Sequence, residues 1–158
     1  MKKPFVLLTI LLLFAFGCAH RGAAPEIAAA KPVVSVNKVA AIKAGKAEGT
    51  IDKEFFKEIA AAKPANVTFV DVRTPFEYKA GHFDGAKHIY INDLYDKGCD
   101  PVLSQLPQEG YVVFVCATGA RASAMYFGIK DDCPNTDVKK MFFLDATVEY
   151  TPKGPVVK

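Results

Sequence analysis

Cys116 ends the apolar run Tyr-Val-Val-Phe-Val (111–115) and opens the loop Cys-Ala-Thr-Gly-Ala-Arg (116–121). The residues that follow, Ala-Ser-Ala-Met-Tyr-Phe-Gly-Ile-Lys (122–130), read as a helix. A strand that ends at a cysteine and turns into a helix aims backbone N–H groups, and the positive end of a helix dipole, at one sulfur atom. Such surroundings favour the thiolate, which is the nucleophile. Arg121 adds a fixed positive charge and a planar fork suited to a tetrahedral oxyanion. The arrangement suits capture of a sulfur or phosphorus oxyanion, with Cys116 attacking and Ala117, Thr118, Gly119, Ala120 and Arg121 binding. A core cysteine that merely closes a strand leaves the same local pattern, so the loop has to be weighed with the segment upstream.

That segment reads Val-Thr-Phe-Val-Asp-Val-Arg-Thr-Pro-Phe-Glu-Tyr-Lys-Ala-Gly-His-Phe-Asp-Gly-Ala (67–86). Its Asp-Val-Arg-x-x-x-Glu-Tyr run, its Gly-His-x-x-Gly-Ala run and the cysteine loop together resemble a single-domain rhodanese, a sulfurtransferase, over roughly residues 50–147. The resemblance implies an α/β fold, a three-layer sandwich with a mostly parallel central sheet flanked by helices. It implies a covalent mechanism through a Cys116 persulfide, with loop amides from Ala117 to Ser123 stabilising the charge. It implies no cofactor; the partners are a small sulfur-containing anion and a thiol or cyanide acceptor.

Loop length bears on the choice of substrate. The arginine stands at the fifth position after the cysteine, the spacing of rhodanese-like loops. The related Cdc25-type phosphatases and arsenate reductases carry one residue more, which widens the ring for a phosphoryl group. Arg121 is expected either to meet the anionic end of the donor or to form a salt bridge on the outer face of the loop. Thr118 is expected to donate to the persulfide or to stabilise the turn, and Gly119 to supply a backbone angle other residues resist. Asp71 and Arg73 look like a structural pair at a strand end, and in the family this region supports the active loop. His82 belongs to a family turn motif in which the imidazole braces backbone. His88 alternates with apolar neighbours and has no evident partner.

The elements that must position these residues follow from pattern. Asp52 caps a helix whose Phe55, Phe56 and Ile59 recur at helical spacing until Lys63-Pro64. Val67–Val72 is an apolar run of central-strand type. Thr74-Pro75-Phe76-Glu77 is a capping box that opens a short helix ending at Gly81. Ala86–Ile91 reads as a strand, Asp100-Pro101 as the start of a helix ending near Leu106, and Val138–Leu144 as a further strand. Strands alternating with helices give a mostly parallel sheet, with ligands beyond the carboxyl ends of its strands. Many family members end in a Gly-Gly and a helix with an aromatic. This chain has Asp145-Ala146 and then a pattern, residues 148–157, that reads as a β-hairpin.

The chain of 158 residues has a net charge of only +3 and scattered lysines, which excludes a nucleic-acid-binding stripe. Lys2 and Lys3 precede an apolar stretch from Phe5 to Phe16, too short to span a membrane comfortably and suited to a signal peptide, residues 1–17. Gly17-Cys18 resembles the lipobox of bacterial lipoproteins, with ordinary cleavage near Ala19 or Ala24 as the alternative. Residues 18–49, rich in Ala, Lys, Pro and Gly, read as lipid anchor and tether, with a chance strand at Val33–Val36, and residues 50–158 as the folded domain. The expectation is a monomer in the periplasm, held to the outer membrane by its lipid alone. In that oxidising compartment Cys99 and Cys133 form the natural disulfide, with Cys18 lipidated and Cys116 catalytic. The rival pairs Cys116 with one of them in a redox cycle. No cysteine or histidine spacing suits a structural zinc. Three other functions stay open: a sulfur carrier without turnover, a phosphatase or arsenate reductase, and a thiol–disulfide protein.

Overall fold

The computed structural model describes residues 38–158. The signal segment, Cys18 and the short strand expected at Val33–Val36 lie outside the described residues. The elements are, in chain order, α1 (Lys53–Ala62), β1 (Val67–Asp71), α2 (Pro75–Ala80), β2 (Lys87–His88), α3 (Ile91–Lys97), α4 (Cys99–Leu103), β3 (Tyr111–Val115), α5 (Ala120–Asp132), β4 (Met141–Phe143), β5 (Val148–Thr151) and β6 (Gly154–Val157). β1 to β4 form one parallel sheet in the order β2-β1-β3-β4, and β5 and β6 form an antiparallel hairpin. Helices flank the sheet on both faces, as the α/β reading requires.

The two faces are assigned by strand alternation. Val112 and Phe114 of β3 pack with Cys116 into a cluster containing Leu94 of α3, Val102 of α4 and Met125 and Ile129 of α5. Val113 and Val115 point the other way, to Phe56 and Ile59 of α1, Phe69, Phe83 and Val148. Both faces of β3 are buried, which explains its uninterrupted apolar sequence.

The local signals act where the sequence places them. The Asp52 carboxylate accepts from the Phe55 N–H at 2.9 Å, and α1 ends at Lys63 in the left-handed conformation, its N–H donating to Ile59 O. The Thr74 hydroxyl accepts from Glu77 N while the Glu77 carboxylate accepts from Thr74 N, so the capping box of α2 is complete.

Four boundaries differ from expectation. The strand read at Ala86–Ile91 shrinks to Lys87–His88, because the chain turns at Tyr90 and α3 begins; Ile91 and Leu94, three residues apart, are the buried positions of this helix. The strand read at Val138–Leu144 starts only at Met141, since the Asp137 carboxylate accepts from Lys139 N and bends the chain there. The helix opened by Asp100-Pro101 begins at Cys99 and ends at Leu103, with turn bonds carrying the chain to Leu106. The folded body also begins upstream of residue 50. The Asn66 side chain exchanges hydrogen bonds with both backbone groups of Val39, and Tyr111 donates to Ala40 O. Thr50 then pairs in parallel with Phe143, adding a bridge to the β4 edge.

Cys99, at the start of α4, and Cys133, just past α5, are joined by a disulfide with a Cα–Cα distance of 5.5 Å. The bond closes the segment that holds β3, the active loop and α5. Replacing both cysteines by serine should cost about 2–4 kcal/mol and lower the urea midpoint, with the far-UV spectrum kept. A midpoint equal to that of the parent chain would mean the bond does not restrain this segment.

Candidate active site

Cys116 lies one residue past the carboxyl end of β3, is 1% exposed, and is unpaired. With Cys99 and Cys133 joined to each other, no other free thiol exists among the described residues. The Gly119 N–H donates to Cys116 Sγ at 3.2 Å. Gly119 reaches this position with φ +88°, in the left-handed region. A Cβ there would stand 2.9 Å from Asp145 Oδ1 and 3.0 Å from Asp145 Cα. Only glycine satisfies both the angle and the approach.

The other loop amides divide into two groups. The Ser123 N–H, expected to face the persulfide, instead donates to Gly119 O at 2.8 Å as the first helical bond of α5. The N–H groups of Ala117, Thr118, Ala120, Arg121 and Ala122 donate to no acceptor among the described residues. Three of them are the orphan donors of a helix start, and two belong to the loop before it. They are uncommitted donors in the loop that follows the cysteine and in the first turn of α5, and one amide of that loop, Gly119, reaches the sulfur.

Arg121 sits on the rim. Its fork is filled by Glu77, Nη1 to Oε2 and Nη2 to Oε1, both at 2.7 Å. The outer-face salt bridge is therefore the geometry adopted, and the fork is not open for an anion's end. The Arg121 guanidinium, aided by Thr74, holds the Glu77 carboxyl down at about 2. Thr118 lines a crevice of about 410 Å³ with Ser123, Phe127 and Asp145. Phe76, beside Glu77, is 83% exposed.

Asp71 and Arg73 are a buried ion pair, Nη2 to Oδ2 at 2.7 Å and Nε to Oδ1 at 2.9 Å. Arg73 also donates to Gly81 O. Its guanidinium carbon lies 3.3 Å from the Tyr150 ring centroid. The Tyr150 hydroxyl faces Cys116 O at 3.4 Å. The His82 ring donates to Tyr78 O at 2.9 Å and stacks on Tyr78, so it braces backbone. His88 does have a partner: its Nε2 donates to Arg73 O at 2.7 Å.

Sequence reasoning missed Glu77 as the partner of Arg121, and Val148 and Tyr150 as neighbours of the loop. Glu77 carries a signal, its place in the Glu-Tyr motif, but that motif and the capping box name no partner across the chain. Among the described residues no group of His, Cys, Asp or Glu could hold a metal ion, and no helix is long and apolar enough to cross a membrane.

A strand-end cysteine at the head of an amide-rich loop, on a four-stranded parallel sheet flanked by helices, makes this an α/β domain with a candidate cysteine site. The rhodanese-like domain family model matches residues 53–145, and the chain belongs to that family. The chain is similar to a rhodanese-related protein of Thermoplasma volcanium, at 20% identity over 62% of this chain and 84% of that one, with a TM-score of 0.47. It is also similar to an uncharacterised protein of Saccharomyces cerevisiae, at 20% identity over 61% and 83%, with a TM-score of 0.43. No curated protein matches the sequence.

Two expectations follow from the geometry. Gly119→Ala should cost about 1–3 kcal/mol in stability, because the loop must shift to escape Asp145 or hold an angle alanine resists. It should also slow alkylation of Cys116 by iodoacetamide relative to the parent chain under the same conditions; a parent-like rate would mean the Gly119 contact is dispensable. The second concerns pH. Because the folded Glu77 is held at about 2, against an ordinary 4.5, its ion pair contributes fully above the ordinary value and is lost as pH falls through the lower one. The stability gap between the parent and Glu77→Gln, followed by urea unfolding, should be widest near neutrality. It should close as pH falls from about 4.5 toward 2. A gap that is constant with pH would remove the charge from the interaction.

Proposed function

We propose that this protein is a sulfurtransferase that carries sulfane sulfur on Cys116, exported and tethered to the membrane by its amino-terminal cysteine. One observation carries the reading: the Cys116 sulfur already accepts one loop amide while neighbouring amides stand uncommitted. The Cys116 thiolate attacks the outer sulfur of thiosulfate. The S–S bond of the donor breaks, sulfite leaves with the bonding pair, and a Cys116 persulfide anion forms. Cyanide or a thiolate then attacks the outer persulfide sulfur, and the Cys116 thiolate returns. The amides stabilise the anion at each stage, the contribution that preorganised dipoles make best. The role of Arg121 is to hold its charge at the rim, with Glu77 fixing its direction. Export to an oxidising compartment is supported by the Cys99–Cys133 bond, since such bonds persist there.

The burial of Cys116 also favours a second reading, a carrier that loads sulfur and releases it slowly. The two differ in discharge. An enzyme turns over repeatedly with thiosulfate and cyanide or thiol, whereas a carrier stops after one sulfur per chain.

The experiment is a parallel assay of thiosulfate-to-cyanide transfer and aryl phosphate hydrolysis. Sulfur transfer should proceed with many turnovers, vanish in Cys116→Ser, and survive in part in the Cys99→Ser/Cys133→Ser double variant. Phosphate hydrolysis that exceeds sulfur transfer and depends on Cys116 would reverse the reading to a phosphatase.

A further inference from the structure

The active loop is held from behind by an element that the family comparison leaves unmatched. The matched region ends at residue 145, and the hairpin β5–β6 lies beyond it. Two successive carbonyls of the loop are turned toward β5. Val148 N donates to Ala117 O at 2.8 Å, and the Tyr150 hydroxyl faces Cys116 O at 3.4 Å. A trans peptide is planar, with its C=O and N–H antiparallel. A carbonyl of residue 116 drawn toward β5 therefore turns the N–H of residue 117 away from it. The carbonyl of residue 117 does the same for the N–H of residue 118. These are two of the uncommitted donors of the loop. Tyr150 is itself fixed, by the Arg73 guanidinium over its ring and by Phe83 at a centroid distance of 6.1 Å.

We propose that the carboxyl-terminal hairpin aims the amides of the active loop, and that Tyr150 is the positioning residue that turns the Ala117 N–H toward the sulfur of Cys116. The proposal rests on the sulfur-transfer reading for its purpose but not for its geometry. Tyr150 touches no substrate; it acts through the peptide between Cys116 and Ala117. Burial pushes the Tyr150 phenol up, so the hydroxyl stays protonated and remains a donor. The side chain also couples the loop to the Asp71–Arg73 pair, so its orientation is set by a buried charge rather than by the solvent-facing hairpin turn.

Tyr150→Phe is the sharp variant, because it keeps the ring against Arg73 and removes only the hydroxyl. Two readouts apply to the whole chain: the pH profile of Cys116 alkylation by iodoacetamide, and the single-turnover rate of persulfide formation from thiosulfate. The alkylation profile should move to higher pH than that of the parent chain. Persulfide formation should slow by about fivefold, the effect of one neutral hydrogen bond, with the KM for thiosulfate unchanged. Glu149→Ala, on the same strand with its side chain paired to Lys158 at the surface, should leave both readouts at parent values. Tyr150→Ala, which also uncovers Arg73, should exceed the phenylalanine variant in both effects; should it fail to fold, Tyr150→Phe still decides. A Tyr150→Phe protein with the parent alkylation profile and the parent rate would overturn the proposal. So would one that loses only thermal stability. If the parent chain itself takes no sulfur from thiosulfate, the sulfur-transfer reading falls. The alkylation profile then still decides the role of Tyr150.

Discussion

The buried Asp71–Arg73 pair is the interaction on which the site depends. Asp71 is 0% exposed and Arg73 3%, so both charges have left water and need complete partners. They find them on four elements. Arg73 is held by the end of β1, by the carbonyl of Gly81 after α2, and by the face of Tyr150 on β5, while its own carbonyl accepts from His88 on β2. Removing one partner of such a pair typically costs about 3–5 kcal/mol, because the other charge is stranded. The pair therefore fixes how the hairpin sits against the carboxyl ends of the central strands. Through Tyr150 that placement reaches the carbonyl of Cys116 itself.

From that constraint the rest of the site follows. The hairpin draws the loop carbonyls to one side, Gly119 closes the turn against Asp145, and α5 begins with its first amides unoccupied. The sulfur accepts from one loop amide, and both arginines of the site are paired with carboxylates. The groups the loop offers a sulfur are thus mainly neutral dipoles. On the sulfur-transfer proposal, neutral dipoles suit an anion that would change little in charge between thiolate and persulfide.

How much of this was legible in the sequence depended on separation along the chain. The capping box at Thr74 and the cap at Asp52 are local, and a few adjacent residues carry the whole signal. The strand β3 was equally plain, since burial on both faces leaves an unbroken apolar run. The start of α3 was not, because Ile89 and Ile91 fit a strand and only Leu94, three residues on, marks the helical face. The contacts that complete the site are long-range: Glu77 and Arg121 are 44 residues apart, Tyr150 and Cys116 34. The Glu-Tyr motif marks Glu77 without naming its partner, and nothing near Tyr150 announces the loop. The carboxyl-terminal hairpin was visible as a Pro/Gly turn between short strands, but its hold on the loop required the packed structure.

The central claim is that Cys116 accepts a sulfur atom and holds it as a persulfide. Intact-mass and peptide mass spectrometry of the purified chain, before and after thiosulfate and then after cyanide, tests it most directly. The account predicts a gain of one sulfur atom on the Cys116 peptide, absent in Cys116→Ser and removed by cyanide. An unchanged mass after thiosulfate, or a gained sulfur on any other residue, would contradict it.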